Sequence, residues 1–468
     1  MSDERPTKTS DKENIIRKTI SEVSQPFIDL VHATRALWGV NLSYLLEGLT
    51  YFGVVGLLAI YFNDFIGLDD IQAGQMVGFM TAGITLAMLF LGATVDFFGA
   101  RKALLFSLAV MLIGRVLLAA GPSLTGTQGM WSSAHLVAMG GILGIIIGYG
   151  IYMPACYAAV KYFTTEKTAA MGYAMLYALM NLGGFLPGLI SPPVRKAFGI
   201  PGVFWVYAAL TVVGMLAVAI ILTKKAMRDA MAGTGWSDSK KEVKEEKKSA
   251  KEQLIYYIKH FPLRDYRFLF FIFILIPVQT LFAHNWLTLP QYFNRAFTGI
   301  VSENFEFFVN FNPILIFILT PMVTALTIKS DTYRMMIIGT FVMASPTFIL
   351  ALGPSIYTVF AYLIIMTVGE AMWQPRFLQW VAEIAPKDMT GIYMGIGQFP
   401  WFLTKVITSL YSGWFLMNYC PQGMAPEHMN TETMWFIYGL IAIASPVGLW
   451  FAKGWMRKGF KVKHSDLM

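Results

Sequence analysis

Twelve long apolar runs, parted by short polar breaks and one charged linker, leave this chain few folds to choose from. They lie near 36–62, 72–97, 103–121, 136–159, 169–193 and 203–223, then near 268–291, 305–328, 335–353, 355–380, 392–417 and 433–452. A bilayer-crossing helix needs roughly 20 mostly apolar residues, and each run comes close to that. With no water in the hydrocarbon, every backbone N–H and C=O must be bonded within the protein, so such a chain folds as a bundle of helices. Only 14% of its residues are charged, against about 25% in soluble domains. The sequence therefore predicts an all-α integral membrane protein of 12 transmembrane helices. Its expected divisions are an N-terminal segment (1–35), a six-helix bundle (36–223), a linker (224–267) holding the mixed-charge run KKEVKEEKK, a second six-helix bundle (268–452) and a basic tail (453–468).

The formal charge of +8 follows from topology. With both termini on the inner side, that side receives Arg101, Lys102, Lys161, Lys167, the linker, Lys329, Arg334, Lys387 and the tail. The other side receives Arg195, Lys196 and Arg295. This bias is the positive-inside pattern. It predicts cytoplasmic termini in an inner or plasma membrane, and it leaves nucleic acid unneeded as a partner. The partners expected are the lipid bilayer and a small-molecule substrate, with a single chain as the working unit. The first 30 residues lack the apolar core of a signal peptide. Cys156 and Cys420 offer neither a disulfide framework nor metal spacing, so no metal is expected. No phosphate loop, HExxH, CxxC or nucleophile elbow occurs, so the chain does not read as an enzyme. Lacking an ATP site, it would draw on a proton gradient rather than a bound cofactor.

Ionisable groups inside apolar runs are costly and mark functional sites by default. Glu47 lies in span one, Arg115 in span three, Glu370 in span ten and Lys405 in span eleven. Acid and base at such depth should pair or share cavity water. The expected pairs are Glu47 with Arg115 and Glu370 with Lys405, all four converging on one hydrated chamber. Histidine's unperturbed pKa lies near neutral pH, so His284 in span seven joins Glu47 and Glu370 as a candidate proton carrier, although a lone histidine on an apolar helix is more often a packing residue. Pro154, Pro277, Pro321 and Pro400 lie within runs and mark possible kinks.

Several motifs then point to one lineage. Between spans two and three, Gly92, Asp96, Gly99, Arg101 and Lys102 fit G-x-x-x-D-x-x-G-x-R-[KR], which resembles the major facilitator signature. The resemblance implies two pseudo-symmetric six-helix bundles and a structural gate role for these five residues, latching the halves in one state. Glu47–Gly53 with Leu57–Tyr61, Tyr177–Phe185 with Asn181, Asn312–Pro313 with Pro321, and Gly369–Pro375 with Ala385–Met389 are similar, in order, to segments of the proton-dependent oligopeptide transporters. That likeness implies alternating-access transport of di- or tripeptides with protons, and a substrate amine on Glu370. Substrate contacts are expected from Glu370, Lys405, Arg115, Asn181, Trp373 and Tyr51. The chain departs from that pattern at four places: Tyr44 and Gly48 stand where span one would carry a glutamate and an arginine, Met153 where span four would carry a lysine, and Val278 or Thr280, beside Gln279, where span seven would carry a carboxylate. Such departures leave room for a non-peptide uniporter, exchanger or exporter of an amphipathic solute.

Overall fold

The computed structural model describes residues 34–91, 94, 98–124, 126–164, 166–233, 264–327, 330–384, 396–397 and 399–465. The first half contains α1 (Arg35–Asp64), α2 (Asp70–Leu91), α3 (Ala100–Leu124), α4 (Ser133–Phe163), α5 (Glu166–Phe185) and α6 (Pro187–Ile221). A short helix, α7 (Lys224–Gly233), follows. The second half contains α8 (Tyr266–Ile274), α9 (Ile276–Leu287), α10 (Leu289–Ala296), α11 (Ile300–Glu303), α12 (Phe305–Val309) and α13 (Phe311–Thr327). It ends with α14 (Thr332–Ala344), α15 (Thr347–Leu350), α16 (Ile356–Ile384), α17 (Phe399–Tyr419) and α18 (Thr431–Ser465).

Eight helical stretches among the described residues are long and apolar enough to cross a bilayer. One of them, Met175–Ile221, is two crossings. At Gly199 the backbone turns to φ 68°, ψ −178°, a region open almost only to glycine, and the helix reverses there. The helices α2, α13 and α17 complete twelve spans. Span five is α5 with the start of α6, span six the rest of α6, span seven α8–α10, span eight α11–α13 and span nine α14–α15. The second half differs from its expected outline in being broken. Span seven is in three pieces, with Pro277 and Pro290 at the starts of α9 and α10, where proline's missing N–H does least harm. Pro154, by contrast, lies within an uninterrupted helix, position 321 is likewise inside α13, and Pro400 opens α17.

Span starts are fixed by side-chain caps. Thr34 accepts from the Leu37 N–H at 3.3 Å, Ser132 from His135 at 3.1 Å and Asp331 from Arg334 at 2.8 Å, each satisfying an amide that the helix leaves bare. Large apolar side chains such as Trp205, Leu216, Trp414, Trp450 and Phe451 stay exposed on the outside, the surface that lipid covers.

Packing reveals the symmetry. Span one lies against five and six, three against four and six, and two against four. In the second half seven lies against eleven and twelve, nine against ten and twelve, and eight against ten. Adding six to each number in the first set gives the second. The main contacts between halves obey the same rule, since two packs on eleven and five on eight.

One end of the bundle is bolted shut. Arg295, closing span seven, donates to both oxygens of Asp70 at 2.7 Å each and to the Cys420 carbonyl at 3.0 Å. Arg195 of span five holds Glu306 of span eight, and Lys196 meets Glu303 at 3.1 Å. Gln291 donates to Asn63, and Gln422 to Asp64 at 2.9 Å. Of four ion pairs among the described residues, these three cross between halves, all at the Asp70 end. The signature loop lies at the opposite end. Gly92 and Asp96 fall outside the described residues. Arg101 donates to the Ala219 carbonyl at 3.2 Å, inside the first half, and Lys102 is exposed. The described part of that motif ties span three to the end of span six, within the first half.

Candidate functional site

Between the halves lies a cavity of about 290 Å³, at the small end of the roughly 300–1,000 Å³ usual for small-molecule sites. Its walls come from spans one, five, seven, eight, ten and eleven. Aromatic side chains dominate: Tyr51 and Phe52, Tyr177, Phe282 and Trp286, and Trp401. Against this apolar box stand one acid and one base, Glu370 and Lys405.

Glu370 is 6% exposed. Its Oε2 accepts from Asn312 Nδ2 at 2.8 Å, and that amide also donates to Thr367 Oγ1 at 2.9 Å. Asn312 opens α13 beside Pro313, so span eight buttresses span ten at the chamber wall. Among the described residues Glu370 has no ion-pair partner. Lys405 does not pair with it. Instead its Nζ reaches across the boundary to span two, donating to Thr85 Oγ1 at 3.0 Å and to the Thr81 carbonyl at 3.4 Å. The expected Glu370–Lys405 bridge is thus absent. Lys405 finds neutral acceptors in the opposite half, leaving the carboxylate to an amide.

The other expected pair forms, but away from the chamber. Arg115 grips Glu47 with both terminal nitrogens, one at 2.9 Å, and also bonds Thr211. The two side chains are 1% and 2% exposed, and neither lines the cavity. Tyr51, one turn beyond Glu47, takes the wall position and packs on Tyr149 with ring centroids 4.8 Å apart. Convergence of all four charges on one chamber is therefore corrected: the second-half pair of residues faces it, and the first-half pair is a sealed brace joining spans one, three and six.

His284 likewise stays in the protein interior. Its Nδ1 bonds Thr288 at 2.7 Å, its Nε2 bonds Tyr411 at 3.1 Å, and its ring stacks on Tyr438 at 4.0 Å. Both nitrogens are occupied, which is the packing alternative weighed from sequence. Trp373 is fully buried and its indole N–H points to Met343 Sδ at 3.1 Å, so it does not line the chamber. Asn181 does, with its amide folded onto the Tyr177 carbonyl at 2.9 Å.

Sequence reasoning passed over Asn312, Asn285 and Gln374 as site residues. Gln374 follows Glu370 by four residues, hence on the same helix face, and that spacing would have flagged it in place of Trp373. Asn285 lies in the unbroken α9 and gives no such signal. Its side chain makes no hydrogen bond among the described residues, and its Oδ1 is buried without a partner.

A membrane bundle of two pseudo-equivalent halves, with one ionisable chamber at their boundary and one end closed by cross-half ion pairs, is the architecture of a secondary carrier. Residues 40–409 match the sequence profile of the Major Facilitator Superfamily. The chain belongs to that superfamily. It is similar to the dipeptide and tripeptide permease A of Proteus mirabilis, with 22% identity covering 92% of this chain and 96% of that one. A second relative, the dipeptide and tripeptide permease B of Edwardsiella piscicida, is 24% identical over 36% of this chain and 33% of its own. Among solved structures it resembles a peptide transporter POT in complex with sulfate, at TM-score 0.67 and 17% identity over 90% of this chain and 95% of that one. A POT family transporter in complex with 5-aminolevulinic acid matches at TM-score 0.67 and 16% identity, over 90% and 97%.

Proposed function

We propose that the protein is a proton-linked carrier of the oligopeptide-transporter type, moving a di- or tripeptide or a peptide-like zwitterion by alternating access. The observation that carries this reading is the pair of unbridged opposite charges, Glu370 and Lys405, on one aromatic-walled chamber between the halves. A substrate ammonium suits Glu370 and a substrate carboxylate suits Lys405, each gaining a charge-assisted hydrogen bond. Tyr51 and Asn181 bound the space for the body of the solute.

Proton coupling in this reading falls to Glu370 rather than Glu47 or His284. It is the carboxyl that both meets the chamber and lacks a cation, so proton and substrate amine compete for it. Glu47 is already gripped by both terminal nitrogens of Arg115. The proton gradient is the driving force we infer, with no resident cofactor. The distribution of Lys and Arg supports cytoplasmic termini in an inner or plasma membrane, which makes the Asp70 end the outer one and puts the closed gate outside. A single chain suffices, since the chamber is complete within it.

Purified protein in liposomes tests this. Given an inward proton gradient and a panel of small peptides, the lumen should acidify as peptide enters. Peptide entry without proton movement would leave facilitation or exchange. Silence toward every peptide would favour another amphipathic zwitterion, the reading that the neutral Tyr44, Gly48 and Met153 positions recommend.

A further inference from the structure

Spans two and eleven meet face to face across the boundary of the halves. The seam is built from small residues. A Cβ on Gly78 would lie 2.2 Å from Ser409, and one on Gly413 would lie 2.3 Å from the Asp70 carbonyl oxygen. Neither place has room for a side chain: at Gly413 backbone meets backbone and at Gly78 the glycine receives the Ser409 side chain, a close approach that small residues allow between membrane helices. On α17, Gly413, Ser409 and Lys405 follow at intervals of four and share one face. On α2 the opposing positions are Asp70, Gly78, and then Thr81 with Thr85. Lys405 is therefore the last contact of the seam and the first residue of the chamber.

We propose that Lys405 is a latch released by the solute. With the chamber empty, its ammonium is held by Thr85 Oγ1 and the Thr81 carbonyl, and it thereby pins span eleven to span two. A carboxylate entering the chamber is a stronger acceptor than either. It draws the ammonium off span two, and the seam that closes the Asp70 end loses its inner fastening. Occupancy of the chamber is in this way reported to the gate through one side chain. The release step rests on the proposed carboxylate role of Lys405; the pinning step does not.

Thr85→Val tests both steps, because Thr85 does not line the chamber and valine keeps its shape while removing the acceptor. Binding of a dipeptide and of its C-terminal amide is measured in wild type, Thr85→Val and Thr85→Ser. With the Thr85 acceptor gone and only the longer Thr81 carbonyl contact left, Lys405 should bind the carboxylate form roughly tenfold more tightly in Thr85→Val, the worth of one hydrogen bond to a charged group. The amide should be unaffected, and Thr85→Ser should behave as wild type. An equal change for both ligands, or none, overturns the release step. Spin labels at the exposed Asp69 and Asn418 report the seam without any solute. Thr85→Val and Lys405→Met should each move the distance distribution toward longer separations, and an unmoved distribution overturns the latch. If wild type binds neither ligand, the peptide reading fails, and the label distances alone decide the pinning.

Discussion

The Glu47–Arg115 brace allows the sharpest test, because from sequence the pair read equally as transport machinery and as a static salt bridge. Both side chains are almost wholly buried, at 2% and 1% exposure, with a bidentate grip and a further bond to Thr211. Removing one partner strands a charge in low dielectric, which costs roughly 3–5 kcal/mol. Removing both and filling the space with apolar groups is often neutral. The expected outcome is a strongly coupled double-mutant cycle. Arg115→Met and Glu47→Met should each lose about 3–5 kcal/mol, a factor on the order of a thousand in folded population, while the double variant regains most of it. Heat inactivation in detergent reads the ordering as a rate, since unfolding here is expected to be irreversible: the fraction still monodisperse after a timed exposure should fall fastest in the single variants and stay near wild type in the double. Proton-driven uptake by the double variant completes the test. The reasoning is refuted if that variant is as stable as wild type and still binds solute, yet no longer accumulates it, because the pair would then be part of coupling.

Glu370→Gln should weaken binding of a free-amine dipeptide by roughly 10–100-fold, the range for a hydrogen bond to a charged group, and leave an N-acetylated analogue unaffected; equal losses in competition binding would make Glu370 a shape determinant only. His284→Gln should lower stability by about 1–3 kcal/mol through its buried partners Thr288 and Tyr411, with the pH profile of uptake unmoved. A shifted profile would return His284 to the proton path. Asp70→Ala strands the guanidinium of Arg295 at the closed end, so an impermeant thiol reagent added from that side should label a cysteine placed at Val55 faster than in the unmutated gate, and an unchanged rate would mean that the other cross-half bonds suffice.

Much of the fold was legible because lipid enforces it. The number of spans, the half-and-half division and the Glu47–Arg115 pair all follow from long apolar runs and the cost of a lone buried charge. What was not legible depended on which helices become neighbours across the boundary. Glu370 and Lys405 are formally complementary and sit on adjacent spans in sequence, yet Lys405 turns to Thr85, a partner 320 positions away and with no charge to advertise it. The same blindness favoured Trp373, conspicuous as a large aromatic, over the quiet Gln374 that shares a face with Glu370. Span seven was legible in part: Pro277 marked one break from sequence, whereas Pro290, at the start of α10, lies in the same run and was passed over.

The symmetry of the packing and the asymmetry of the charges together suggest how the halves divide their work. Contacts repeat under a six-span shift, but the ionisable and amide groups facing the chamber do not. Glu370, Lys405, Asn312, Asn285 and Gln374 all belong to the second half, whereas the first half offers Tyr51, Phe52, Tyr177 and Asn181. The first half's own deep charges are spent on each other, and Tyr44, Gly48 and Met153 add none. A zwitterion bound by its ends would then rest its whole charge on one half, with a neutral aromatic surface opposite. Dispersion contacts are short-ranged and individually weak, so the first half can swing past a seated solute without tearing an ionic bond. Among the described residues the polar tie from the chamber charges into the first half is Lys405 to span two, and it is the tie that a solute carboxylate would replace.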